Sequence, residues 1–177
     1  MKVWDDNEIP LAFLITFRTC GSWLHGDDRT SIDRHNNKFR APRIPANKAW
    51  NEYNEKIMTT EAVILNPKRR KAVDDAIREV CEHRKWRLQT INIRTNHGHI
   101  VVSIGDCQPE KALNAFKAYA TRKMKERGLW TSDRSPWADK GSERWLWNEQ
   151  DVRNANDYVA NGQGCDLRDF DSWKAKK

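Results

Sequence analysis

Apolar residues in this chain gather in short runs, and the period of each run assigns an element. Residues 11–19 read L-A-F-L-I-T-F-R-T, a β-rich run behind Pro10 that predicts a first strand and is too short to cross a bilayer. Residues 20–54 keep no period and carry Gly21, Gly26, Pro42 and Pro45 among many charges, which predicts a long irregular loop. Residues 56–65 read either as a short strand or as the lead-in to a helix. Asn66 and Pro67 then supply an N-cap and a first helical residue. Behind them Ala72, Val73, Ala76, Ile77, Val80 and Cys81 form one apolar stripe, so a helix is expected to end near Arg84. Residues 86–96 alternate as a strand does, and a turn at 96–98 leads into the apolar run Ile100-Val101-Val102-Ser103-Ile104. A second helix opens at Pro109, buries Ala112, Leu113, Ala115, Phe116, Tyr119, Ala120 and Met124, and stops at Gly128. Residues 129–142 are polar and predict a surface wrap, and residues 144–148 a short last strand. In residues 149–161, Val152, Ala155, Tyr158 and Val159 recur at helical spacing before Gly162 and Gly164.

This order of elements predicts an α+β, ferredoxin-like domain: an antiparallel sheet with helices packed mainly on one face. The length of 177 residues suits one domain, taken as residues 1–164, with a long loop at about 20–54 and a charged tail at 165–177. The absence of a leader-like opening or a long apolar run predicts a cytoplasmic protein without a membrane partner. Cys20, Cys81, Cys107 and Cys165 are scattered and are expected to be reduced.

Charge changes the picture. Thirty-two Lys and Arg against twenty-five Asp and Glu leave a net charge of +7, which favours a polyanionic partner. The candidate phosphate contacts are Arg29, Arg34, Lys38, Arg40 and Arg43 in the loop, with Lys68, Arg69, Arg70, Arg122 and Lys123 in the two helices. Nine tryptophans, among them Trp23, Trp50, Trp130, Trp137, Trp145 and Trp147, serve either to pin loops to the core or to stack on unpaired bases.

The chemistry gathers at His97-Gly98-His99. One residue apart on a strand, the two imidazoles project from one face while Ile100, Val102 and Ile104 project from the other. That is half of a metal site. A zinc set of His97, His99 and Cys107 is disfavoured because no paired-cysteine motif accompanies it.

Asn96-His97-Gly98-His99-Ile100-Val101-Val102, followed some sixty residues later by Tyr158-Val159-Ala160-Asn161-Gly162-Gln163, resembles the HUH single-tyrosine transposases, including the REP-associated tyrosine transposases. The resemblance implies an HUH fold over about residues 10–164 and a metal-dependent enzyme that cleaves and rejoins single-stranded or hairpin DNA. It implies Tyr158 as nucleophile through a 5′-phosphotyrosine, and Mg²⁺ or Mn²⁺ held by His97, His99 and an amide of the tyrosine helix. No nucleotide cofactor is required, and the place of action is nucleoid-associated. Of the other tyrosines, Tyr53 lies in the loop and Tyr119 on an apolar stripe, so Tyr119 is the alternative nucleophile. The family's third ligand stands four residues after the tyrosine, where this chain has Gly162, so Asn161 and Gln163 are both candidates. Monomer or homodimer is left open. The rival reading is a domesticated, non-catalytic nucleic-acid-binding module on the same fold.

Overall fold

The structure, a computed structural model, describes residues 9–22, 45–58 and 61–164. Its elements run β1 (Ala12–Thr19), α1 (Lys48–Ile57), α2 (Pro67–Arg84), β2 (Arg87–Ile93), β3 (His97–Ser103), α3 (Pro109–Glu126), β4 (Trp137–Leu146) and α4 (Glu149–Asn161). The four strands form one antiparallel sheet in the order β2-β3-β1-β4, the ferredoxin-like order.

Alternation along β1 and β3 divides the core in two. Phe13, Ile15, Phe17, Ile100, Val102 and Ile104 face α2 and α3. Ala12, Leu14 and Val101 point the opposite way and, with Leu146, receive Val152, Ala155 and Val159 of α4. Two helices therefore cover one face, and the last helix covers part of the other. The expected apolar stripe of α2 is buried throughout, and burial pushes the Cys81 thiol up to about 12. Cys20, Cys81 and Cys107 are free thiols.

The predicted helix starts are realised by capping. Asn66 Oδ1 accepts from Arg69 N at 3.0 Å, and the side chain of Asn148 accepts from Asp151 N at 2.9 Å. The β2–β3 turn closes earlier than the sequence suggests, with Arg94 N donating to His97 O at 2.8 Å, so His97 already belongs to the strand. The stretch before α2 is an extended lead-in: Val63 N donates to Cys20 O at 3.0 Å and Leu65 N to Thr95 O at 2.6 Å. It ties the end of β1 to the β2–β3 turn.

Two expectations are corrected. Part of the stretch read as loop is the helix α1, capped by Asn47, whose side chain accepts from Trp50 N at 3.0 Å. Its Trp50, Tyr53 and Ile57 recur at helical spacing, but this short stripe stays exposed and the helix buries no residue. The polar stretch 129–142 does not simply wrap the surface, because β4 begins at Trp137. This edge strand is exposed over most of its length, so its charges hide the alternation. It reaches β1 through Gly141, where a Cβ would meet Thr16 O at 2.5 Å and Leu113 Cδ2 at 2.8 Å. The buried Lys117 ammonium donates to the carbonyls of Ala138, Asp139 and Lys140 and anchors the start of the strand.

Candidate active site

His97 and His99 stand on the α4 side of β3, their ring centroids 4.8 Å apart. Gly98 between them faces the main core, where a Cβ would meet Ile93 Cδ1 at 2.9 Å and Phe17 Cζ at 3.0 Å. The small residue therefore lets β3 lie close to the core while its two neighbours face outward. Each imidazole is held at Nδ1. Asn96 Oδ1 is 2.7 Å from His97 Nδ1, and Thr16 Oγ1, from β1, is 2.8 Å from His99 Nδ1. Asn96 is itself fixed, because its carbonyl accepts from Thr19 N at 2.9 Å and from Thr19 Oγ1 at 3.1 Å.

The helix α4 brings Tyr158 to this pair. Its apolar residues dock on the sheet, and polar bonds set its register: Thr90 Oγ1 donates to Asn156 Oδ1 at 2.5 Å, Asn156 Nδ2 to Gln89 Oε1 at 3.0 Å, and Asn92 Nδ2 to Val159 O at 2.9 Å. The Tyr158 ring stands edge-on to His99, with centroids 5.5 Å apart, and is 46% exposed. His99 is only 7% exposed. Burial, then His97, then Arg94 hold its imidazole down at about 4, with a Gln163 hydrogen bond opposing them. At neutral pH His99 is thus an uncharged lone-pair donor.

Helix α4 ends at Gly162, where a Cβ would meet Tyr158 O at 2.8 Å and Tyr158 Cδ2 at 2.9 Å. The residue after it folds back on the last turn of the helix. Gln163 Nε2 donates to Tyr158 O at 3.1 Å, and the same side chain reaches His99. Asn161, the other ligand candidate, is exposed, and its Nδ2 donates to Asp157 Oδ1 at 2.8 Å along the outer side of the helix. His97, His99 and Gln163 are the candidate donors beside Tyr158. Two imidazoles and an amide oxygen form a neutral donor set that leaves room for phosphate and water oxygens, which fits a divalent cation. Among the described residues no group of three or more His, Cys, Asp or Glu gathers, so the His97–His99–Cys107 zinc set is not formed.

Tyr119 lies on α3, across the sheet from the histidines, packed against the main core with the Arg122 guanidinium 4.4 Å above its ring. That position removes it as an alternative nucleophile for this histidine pair. Tyr53 is exposed on α1.

The basic candidates separate by environment. Arg29, Arg34, Lys38, Arg40 and Arg43 lie outside the described residues. Lys68 is exposed. Arg69 donates to the carbonyls of Leu129 and Ile64, both at 3.0 Å, and covers Trp130, so it pins a loop. Arg70 is corrected as a phosphate contact: it is 1% exposed, and its Nη1 donates to Leu65 O. Arg122 and Lys123 pair with Glu79 at 3.1 and 2.5 Å, so much of their charge is already balanced. Of the tryptophans, Trp137 is buried and donates to Lys117 O and Thr121 Oγ1, and Trp130 donates to Arg134 O. Trp145 and Trp147 stack on each other at the edge strand. No described helix is long and apolar enough to cross a membrane.

No curated protein matches the sequence. Among solved structures, a REP-associated tyrosine transposase bound to a REP hairpin is similar at 14% identity and a TM-score of 0.47, over 90% of this chain and 70% of that one. A candidate transposase of Deinococcus radiodurans R1 is similar at 10% identity and a TM-score of 0.48, over 93% of this chain and 100% of that one. The family model described as "Transposase IS200 like" matches residues 56–150, which include both histidines and stop short of Tyr158. That match spans more than half of the 177 residues, and the chain belongs to the IS200-like transposase family.

Proposed function

We propose that this transposase cleaves and rejoins single-stranded DNA at hairpin ends, with Tyr158 as the nucleophile and with His97, His99 and Gln163 holding Mg²⁺ or Mn²⁺. The observation that carries the reading is the Tyr158 ring set edge-on to His99, 5.5 Å between centroids, on the face that also presents His97. The Tyr158 oxygen attacks phosphorus, the phenolic proton departs, and the P–O3′ bond breaks. The products are a 5′-phosphotyrosine and a 3′-hydroxyl. The phosphodiester energy stays in the tyrosyl ester, so attack by a 3′-hydroxyl reseals the strand without a nucleotide cofactor.

A nucleophile held in line with its target reacts far faster than a free one, so the placement of the phenol matters. Here the docked face of α4 fixes the backbone, while the half-exposed ring keeps its oxygen accessible to a strand laid over the site. The bound cation would act as a Lewis acid on a non-bridging phosphate oxygen, and imidazole ligands make Mn²⁺ the better match in vitro. The net charge of +7 supports a polyanionic substrate. Hairpin ends follow from the family resemblance of the two motifs.

The test is incubation of the protein with end-labelled single-stranded DNA bearing hairpins, in Mn²⁺, followed by a denaturing gel. The wild type is expected to give a metal-dependent covalent band that is absent in Tyr158→Phe and His97→Ala. A band that persists in Tyr158→Phe overturns the assignment of the nucleophile. Tight, metal-independent binding with no band across a broad hairpin pool returns the chain to the non-catalytic reading.

A further inference from the structure

Two neighbouring imidazoles are held by chemically different partners. His97 Nδ1 meets the side-chain oxygen of Asn96, which only accepts, so this ring carries its proton on Nδ1 and presents Nε2 as a lone pair. His99 Nδ1 meets the hydroxyl of Thr16, which both donates and accepts. The Gln163 side chain also reaches the His99 ring. The Gln163 amide nitrogen is turned to Tyr158 O at 3.1 Å, which leaves its oxygen for the imidazole. An oxygen in that place is matched by a ring nitrogen that carries its proton, Nε2–H. With Nε2 protonated, Nδ1 is a lone pair, and the Thr16 hydroxyl donates to it.

A cation between the rings requires the opposite arrangement, because Nε2 must then offer a lone pair and the Gln163 oxygen must turn from the ring to the ion. The proton has one other nitrogen to occupy, Nδ1, and Nδ1–H needs an acceptor. We propose that Thr16 is a positioning residue whose hydroxyl serves both states: it donates to His99 Nδ1 in the metal-free protein and accepts from Nδ1–H when the cation is held. The exchange moves one proton from Nε2 to Nδ1 through solvent and turns one hydroxyl rotor, so the ring stays neutral and in place. Thr16 sits on β1 directly opposite His99 in the β1–β3 register, so the partner is built into strand pairing. This inference rests on the metal reading of the site, and the experiment separates the two.

Thr16→Val keeps the β-branched shape and removes the hydroxyl, whereas Thr16→Ser keeps the hydroxyl. Each protein, labelled with ¹⁵N-histidine, is examined by NMR without metal, and Mn²⁺ affinity is measured by calorimetry. The wild type and Thr16→Ser are expected to show His99 as the Nε2–H tautomer without metal and to bind Mn²⁺ alike. In Thr16→Val the His99 Nδ1 resonance moves as its hydrogen bond is lost, and Mn²⁺ binding weakens by roughly 10- to 100-fold. Unchanged Mn²⁺ affinity in Thr16→Val, or weakening equally in Thr16→Ser, overturns the role of Thr16. If the wild type binds no Mn²⁺, the metal reading falls and the two-state role falls with it. A metal-free His99 spectrum identical in wild type and Thr16→Val would remove the hydrogen bond as well.

Discussion

Substituting Gly98 by alanine tests whether the residue between the histidines is dictated by packing. A Cβ there lies 2.9 Å from Ile93 Cδ1 and 3.0 Å from Phe17 Cζ, and both neighbours are buried. Relieving the overlap means moving side chains in a filled core or lifting β3, which costs about 1–3 kcal/mol. Against this, Gly→Ala within a strand stabilises by about 0.5–1 kcal/mol through lost unfolded-state entropy. The expected net effect is a loss of about 1–2 kcal/mol, read from the urea midpoint at constant m-value. Ile93→Val removes the nearest colliding atom. Alone it should cost about 0.5–1.5 kcal/mol, and in the Gly98→Ala background much less. The cycle should therefore show a coupling of order 1 kcal/mol that favours the double mutant, with Phe17 keeping the relief partial. Lifting β3 would also spread the two imidazoles, so Mn²⁺ affinity should fall with stability. If Gly98→Ala proves as stable as the wild type, with the two changes additive within about 0.5 kcal/mol, the steric argument is refuted.

Other expectations follow from the same geometry. Val159 is fully buried under α4, so Val159→Ala should cost about 1–3 kcal/mol and speed amide exchange in α4 more than in α2, whereas uniform acceleration would mean that α4 does not open separately. Because Tyr158 sits on the His99 of its own chain, a mixture of Tyr158→Phe and His97→Ala proteins should form no more covalent adduct than either alone, and recovery of the band would require exchange of the helix between chains. Gln163→Ala should weaken Mn²⁺ binding measurably, while Asn161→Ala, on the outer side of α4, should leave it within about twofold of the wild type. The Cys81 thiol ionises at about 12 in the fold against 9.0 ordinarily, so its neutral form favours folding, a contribution fully present below pH 9 and lost as pH rises toward 12. By about pH 10.5 this should remove about 2 kcal/mol, and a Cys81→Ala protein, less stable at neutral pH, should show a flatter alkaline decline in denaturant melts.

The sequence by itself determined the elements with strong periods and clear caps: β1, α2, the β2–β3 pair, α3 and α4, and from them the α+β order. Strand alternation alone placed His97 and His99 on one face, because i and i+2 share a side of a strand whatever surrounds it. The motif around Tyr158 was legible too, as was its distance in sequence from the histidine pair. Tertiary structure decided the rest. Helix α1 carries only a short stripe, Trp50, Tyr53 and Ile57, which stays exposed, and β4 lies at a solvated edge whose charges mask its alternation. The burial of Arg70 and the pairing of Arg122 and Lys123 with Glu79 depend on how α2 and α3 pack, so charge patterning alone could not tell a buried or partnered cation from a solvated one. The fold of Gln163 back on Tyr158 O depends on how the chain leaves α4 after Gly162, and the pairing of Thr16 with His99 on a register between residues eighty-three apart. These are relations between strands and helices distant in sequence, and a local pattern holds no information about which side chain another strand will set across from it.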